Sequence, residues 1–172
     1  MSGRFDLQVP EGTCYLASTD EAAARERIGP LLRKIAGHES VLASVLVTSE
    51  GPVVVTEVTL GTVHAANLPV RKADRWINRS LWAGTGIYWI AQGWAALWRA
   101  ADFEGLLYEP RFTGGARVRA LALFGAQGRP KPAMPIDGSK SLEEVLIAHG
   151  VRLVWPPGSA PALSPMAAPP SL

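Results

Sequence analysis

Apolar residues recur along this chain with two periods, one suited to helices and one to strands. The most regular helical stretch is 87–101, where Ile87, Ile90, Ala91, Trp94, Trp98 and Ala101 fall at i, i+3, i+4, i+7, i+11 and i+14. Two tryptophans on that stripe assign it to the core. Tyr88, Gln92 and Arg99 stand off it with polar ends, either bordering a pocket or meeting solvent. The clearest strand is 53–60, a β-branched run after the turn signal Ser49-Glu50-Gly51-Pro52. Shorter strands are predicted at 13–17, 105–108, 118–124 and 151–155, while 41–47 suits a strand and a short buried helix almost equally.

Helix ends are marked by local chemistry. Ser18-x-x-Glu21 and Ser141-x-x-Glu144 both have the form of a capping box. They predict one helix from Ser18 to about Ile28 and another from Ser141 to His149, the latter stopped by Gly150. Gly29-Pro30 breaks or kinks the first, after which Leu31, Leu32 and Ile35 continue helical spacing as far as Gly37. A short helix is predicted at 72–80, placing Arg71, Arg75 and Arg79 on one face; basic faces of this kind are usually solvated. Residues 127–138 read as a Pro-rich surface connection. The pattern predicts a single mixed α/β domain of the α+β class over 1–156 and a disordered Pro/Ala-rich tail over 157–172.

Composition narrows the picture. At 172 residues the chain is long enough for one domain with a core and short for two. A formal charge of +2 arises from 17 basic and 15 acidic residues that are largely interspersed, so direct nucleic-acid contact is not expected. No apolar stretch reaches membrane-spanning length, and the polar first residues do not resemble a signal peptide. Cys14 is the single cysteine, so no internal disulfide forms and a reducing cytoplasm is the expected setting. Alternation pairs Cys14 with Leu16 as a small core residue. His38, His64 and His149 lack metal-ligand spacing, so no metal site is expected.

Candidate chemistry concentrates in residues 3–27. Arg4 lies in a loop, Tyr15 on a strand and Glu26 on a helix, with the small Ala22 one turn before the carboxylate leaving space beside it. The residue types alone leave a blander reading open. A glutamate flanked by Arg25 and Arg27 is usually solvated, a tyrosine on a short strand is usually core, and a loop arginine such as Arg111 is usually on the surface.

Taken in order, Gly3-Arg4-Phe5-Asp6, Gly12-Thr13-Cys14-Tyr15-Leu16-Ala17 and Glu21-Ala22-Ala23-Ala24-Arg25-Glu26 resemble the opening motifs of the RES domain family. Tyr88-x-x-x-Gln92, Phe103-Glu104-Gly105-Leu106-Leu107-Tyr108-x-Pro110-Arg111-Phe112 and Ala120-Leu121-Ala122-Leu123-Phe124 resemble its second half, so the likeness covers most of 3–125. It implies a fold resembling that of ADP-ribosyltransferases. It also implies an NAD-consuming enzyme that cleaves the nicotinamide–ribose bond, whether as glycohydrolase, phosphorylase or ADP-ribosyltransferase, and a toxin opposed by a helix-turn-helix antitoxin. Arg4, Tyr15 and Glu26 fall on the family's arginine, tyrosine and glutamate and are the expected catalytic residues. Arg4, Tyr15 and Arg111 are the expected contacts to NAD, which enters as substrate. Pro110 stands where the family's serine is expected. That departure supports an alternative, a catalytically silent RES-like domain that binds a partner or a nucleotide.

Overall fold

The computed structural model describes residues 3–68, 88–113, 117–128 and 136–156. The chain begins with strand β1 (Glu11–Ala17), helix α1 (Asp20–Ile28) and strands β2 (Arg33–Ile35) and β3 (His38–Leu42). Short strands β4 (Val47–Thr48), β5 (Gly51–Pro52), β6 (Val54–Val58) and β7 (Ala65–Asn67) follow. Helix α2 (Tyr88–Ala100) precedes β8 (Gly105–Tyr108), β9 (Ala120–Ala126) and β10 (Ile136–Ser141). Helix α3 (Leu142–Ala148) and β11 (Arg152–Val154) complete the described fold, a single mixed α/β domain as the pattern predicts.

Strands β1, β9, β8 and β7 form one sheet in that order, antiparallel except for the β7–β8 pair. Alternation along β9 turns Ala120, Ala122 and Phe124 inward, and the register sets Leu106 and Tyr108 of β8 beside Ala122 and Ala120 on the same face. Helix α2 covers that face through Ala91 and Ala95, and Phe5 fills its edge. The stripe predicted as core is kept in part: Ala91 is buried and Trp98 packs against the cluster from its edge, while the deepest helix residue is Ala95, which lay off the stripe. Trp94 and Trp98 tilt against each other, ring centroids 5.6 Å apart, and are only partly buried.

A second apolar cluster lies beside the β11-β3-β2 sheet and the β6–β10 pair. Ala24 and Ile28 of α1 meet Leu142, Val145 and Leu146 of α3, with Val41 and Val151 beneath them. Burying each large aliphatic side chain here contributes about 1.5–3 kcal/mol. Helix α1 therefore has one face committed to the second cluster while its polar face stays available.

Several local expectations are corrected. The Ser18–Glu21 capping box does not form. Thr19 is the N-cap, its Oγ1 accepting from the Ala22 N–H at 3.1 Å, while Ser18 Oγ accepts from the Arg119 N–H at 3.0 Å. The Ser141–Glu144 box is complete, and α3 runs as expected. The helical spacing after Pro30 yields only a 3₁₀ turn at Gly29–Leu31, because Arg33–Ile35 instead pairs with β3 across a reversal at Ala36 and Gly37, whose φ values are 49° and 81°. Residues 41–47 divide among the end of β3, a 3₁₀ turn at Ala43–Leu46 and the first residue of β4. The strand expected at 53–60 contracts to β6, and residues 136–138 of the expected connection belong to β10. The helix expected at 72–80, its Arg71, Arg75 and Arg79, and the tail 157–172 lie outside the described residues. Among the described residues no helix is long and apolar enough to cross a membrane.

Candidate active site

Arg4 precedes β1 in a loop, yet it is only 7% exposed. The loop is tied down from several elements. Gln92 of α2 donates to the Gly3 carbonyl at 2.9 Å. The Tyr15 hydroxyl accepts the Phe5 N–H at 2.7 Å and donates to Asp6 at 2.9 Å, and Asp6 in turn accepts from the Gly3 N–H. The Thr13 hydroxyl donates to the Phe5 carbonyl at 2.9 Å. A Cβ on Gly3 would lie 2.5 Å from the Tyr15 hydroxyl oxygen, so the absence of a side chain lets the loop close onto the tyrosine. These ties lay the Arg4 guanidinium over the rings of Phe5 and Tyr108, 4.8 and 5.0 Å from their centroids.

Glu26 projects from α1 on the face that holds the fully buried Ala22, and its side chain is 18% exposed. Its Oε1 accepts from the Arg111 N–H at 2.6 Å and more loosely from the Phe112 N–H at 3.4 Å. Its Oε2 lies 3.9 Å from Arg4 Nη2. The carboxylate is thus oriented mainly by backbone donors, leaving the Arg4 ion pair loose.

Arg111 follows β8. Its guanidinium carbon stands 5.1 Å from the Phe112 ring centroid and 5.9 Å from that of Tyr88, and Nη2 reaches the Tyr88 hydroxyl at 3.5 Å. Its Nε and Nη1 are buried and have no hydrogen-bond partner among the described residues, as is also true of Thr113 Oγ1. Buried donors of this kind are costly unless something accepts from them. Burial, and then the positive charge of Arg111, hold the Arg4 pKa below the ordinary arginine value; an arginine still remains charged at neutral pH. Arg4 feels the charges of both Arg111 and Glu26, so two guanidiniums share this neighbourhood with one carboxylate, a balance that suits an anionic ligand.

The site brings Arg4, Glu26 and Arg111 together. Tyr15 is placed differently from a purely ligand-facing group. The residue is 39% exposed, but its hydroxyl is engaged by the Arg4 loop, and burial raises its pKa so that it remains a neutral donor. Tyr108 is the residue that sequence reasoning overlooked, because strand alternation marks it simply as core. It is 4% exposed and lies against Arg4; burial, then the negative charge of Glu26, raise its pKa. A phenol ending an apolar strand three residues before Arg111 was the available signal. Cys14 is half-buried and burial raises its pKa, which disfavours the reactive thiolate. Among the described residues no group of three or more His, Cys, Asp or Glu side chains is arranged to hold a metal ion.

The family model of the RES domain matches residues 1–143. The chain belongs to the RES domain family. No curated protein and no solved structure matches it. Every site residue of this RES domain falls inside the matched span, whereas β11 and most of α3 lie beyond it. The candidate site draws on both apolar clusters. Phe5 and Tyr108, which flank Arg4, belong to the first, while α1, which carries Glu26, is seated in the second through Ala24 and Ile28.

Proposed function

We propose that this RES domain consumes NAD⁺ by cleaving its nicotinamide–ribose bond. The observation that carries the reading is a carboxylate oriented by backbone donors beside Arg4 and Arg111, the latter with buried N–H groups that have no hydrogen-bond partner among the described residues. Arg4 and Arg111 bind the pyrophosphate through their planar donor forks. Glu26 presents Oε2 to the ribose. As the C1′–N bond breaks, its electron pair passes to the pyridinium nitrogen, nicotinamide leaves neutral, and positive charge develops on the sugar. A preoriented carboxylate stabilises that charge more than it stabilises the ground state. The acceptor then bonds to C1′ and gives up its proton: water makes the enzyme a glycohydrolase, phosphate a phosphorylase, and a protein side chain an ADP-ribosyltransferase. Tyr15 keeps the Arg4 loop in place and offers its ring to the nicotinamide or ribose.

Such an activity drains the dinucleotide pool of the cytoplasm, which agrees with a toxin held in check by a helix-turn-helix antitoxin. The test is nicotinamide release by purified protein. The Glu26→Gln variant is expected to lower kcat by about 10²–10³-fold, the scale typical of losing one preorganised electrostatic contact to a transition state. Undiminished turnover in that variant would remove the proposed site. A second reading rests on Pro110, which supplies neither a hydroxyl nor an N–H where the family's serine is expected. In it the domain binds the dinucleotide or a partner without chemistry, and NAD⁺ binding by calorimetry with no nicotinamide release would establish it.

A further inference from the structure

Gly29 carries an unexplained restriction. It closes α1 with φ −48° and ψ −44°, a right-handed helical geometry that calls for no positive φ, although Pro30 makes this region less favourable for a preceding residue that bears a Cβ. Were that backbone preference the whole cost, alanine would change stability little, because it also restricts the unfolded chain. A Cβ on Gly29, however, would overlap Cγ, Cδ2 and Cε2 of the Phe112 ring. The missing side chain makes a socket for that ring.

The socket lies one turn from the carboxylate, because Glu26 and Gly29 stand at i and i+3 on α1. Phe112 also donates its N–H toward Glu26 Oε1, and its ring lies 5.1 Å from the Arg111 guanidinium carbon. One ring thus touches the helix that bears the carboxylate and the arginine that flanks it. We infer that Phe112 and Gly29 form a peg and socket that sets where the Arg111 loop lands on α1, and so positions Glu26 and Arg111 relative to each other. Both are positioning residues, and neither needs to touch substrate.

The inference rests on the NAD⁺ reading only for its kinetic consequence. The Gly29→Ala, Phe112→Ala and doubly substituted proteins are compared with wild type in two measurements: steady-state nicotinamide release, and hydrogen exchange of the Arg111 amide without ligand. Gly29→Ala is expected to lower kcat at least tenfold, raise KM several-fold and speed Arg111 amide exchange at least tenfold. A change in folded fraction alone would lower apparent kcat and leave KM unmoved. In the Phe112→Ala background, Gly29→Ala is expected to add less than twofold to any of these, since the overlap has gone.

Wild-type exchange and kinetics in Gly29→Ala, or equal effects of that substitution in both backgrounds, would overturn the inference. Should Gly29→Ala fail to fold, recovery of folding in the double variant supports the peg and socket; a double variant unfolded where Phe112→Ala folds refutes it. If wild type releases no nicotinamide, the NAD⁺ reading fails by itself, and the exchange arm still decides the positioning role.

Discussion

Tyr15 holds the Arg4 loop through its hydroxyl. Its hydroxyl takes the Phe5 N–H and gives its own proton to Asp6, closing the loop immediately after Arg4. Tyr15→Phe removes that acceptor and donor while keeping the ring. Losing a partly solvated hydrogen-bond pair costs about 1 kcal/mol, so the urea midpoint of unfolding should fall accordingly, and KM for NAD⁺ should rise as Arg4 loosens. A variant with unchanged stability and unchanged KM would show the hydroxyl to be idle. The identities of Arg4, Glu26 and Arg111 were legible through the ordered family motifs. Tyr108 was not, because period-two alternation describes which face a side chain takes and says nothing of what lies beyond that face.

At the scale of elements, the two candidate capping boxes behave differently. Ser141 and Glu144 satisfy each other's backbone donors at 3.1 and 2.7 Å, all within one turn. Ser18 offers the same spacing, but its hydroxyl is taken by the Arg119 N–H, 101 residues away in sequence, and Thr19 caps α1 instead. Thr19→Ala should therefore destabilise the protein by about 1 kcal/mol, the usual worth of an N-cap. Ser18→Ala should leave the helix cap intact and disturb the end of β9. Hydrogen exchange of the Ala22 amide distinguishes the two, accelerating in the first variant only; acceleration in the second alone would restore the Ser18 cap. Strand β2 teaches a related lesson. The helical spacing of Leu31, Leu32 and Ile35 is overridden because pairing with β3 satisfies the backbone of the exposed segment Arg33–Ile35.

Across the whole molecule, the first turn of α1 is linked to β10 through Lys140 Nζ, 2.7 Å from Asp20 Oδ2. That hydrogen bond is the leading cause holding the Asp20 pKa below its ordinary value, and it holds the Lys140 pKa above its own. For Asp20 the contribution to stability is present above the unfolded value of about 3.9 and is lost as pH falls through the lower folded value. For Lys140 it is present below about 10.4 and lost as pH rises through the higher folded value. Comparing Lys140→Met with wild type by urea unfolding should show a small difference at neutral pH that vanishes in strong acid and in strong base. A difference independent of pH would mean that the lysine acts through packing alone.

The sequence by itself determined the elements whose signals lie within a few residues of one another: α2 from its apolar stripe, α3 from its capping box, and β1 and β8 from short runs ended by turn residues. Its ordered motifs also singled out Arg4, Glu26 and Arg111, which the fold brings together. Only the tertiary structure decided that Glu26 is oriented by the Arg111 N–H across 85 residues of sequence, that Ala91 and Ala95 lie deepest beneath α2 while Trp98 packs at the edge, and that Phe112 occupies the space left at Gly29. The physical reason is range. Caps, turns and periodicity are settled by neighbours along the chain, whereas a buried donor, a ring over a bare Cα or an arginine between two aromatic faces depends on which distant segment arrives beside it.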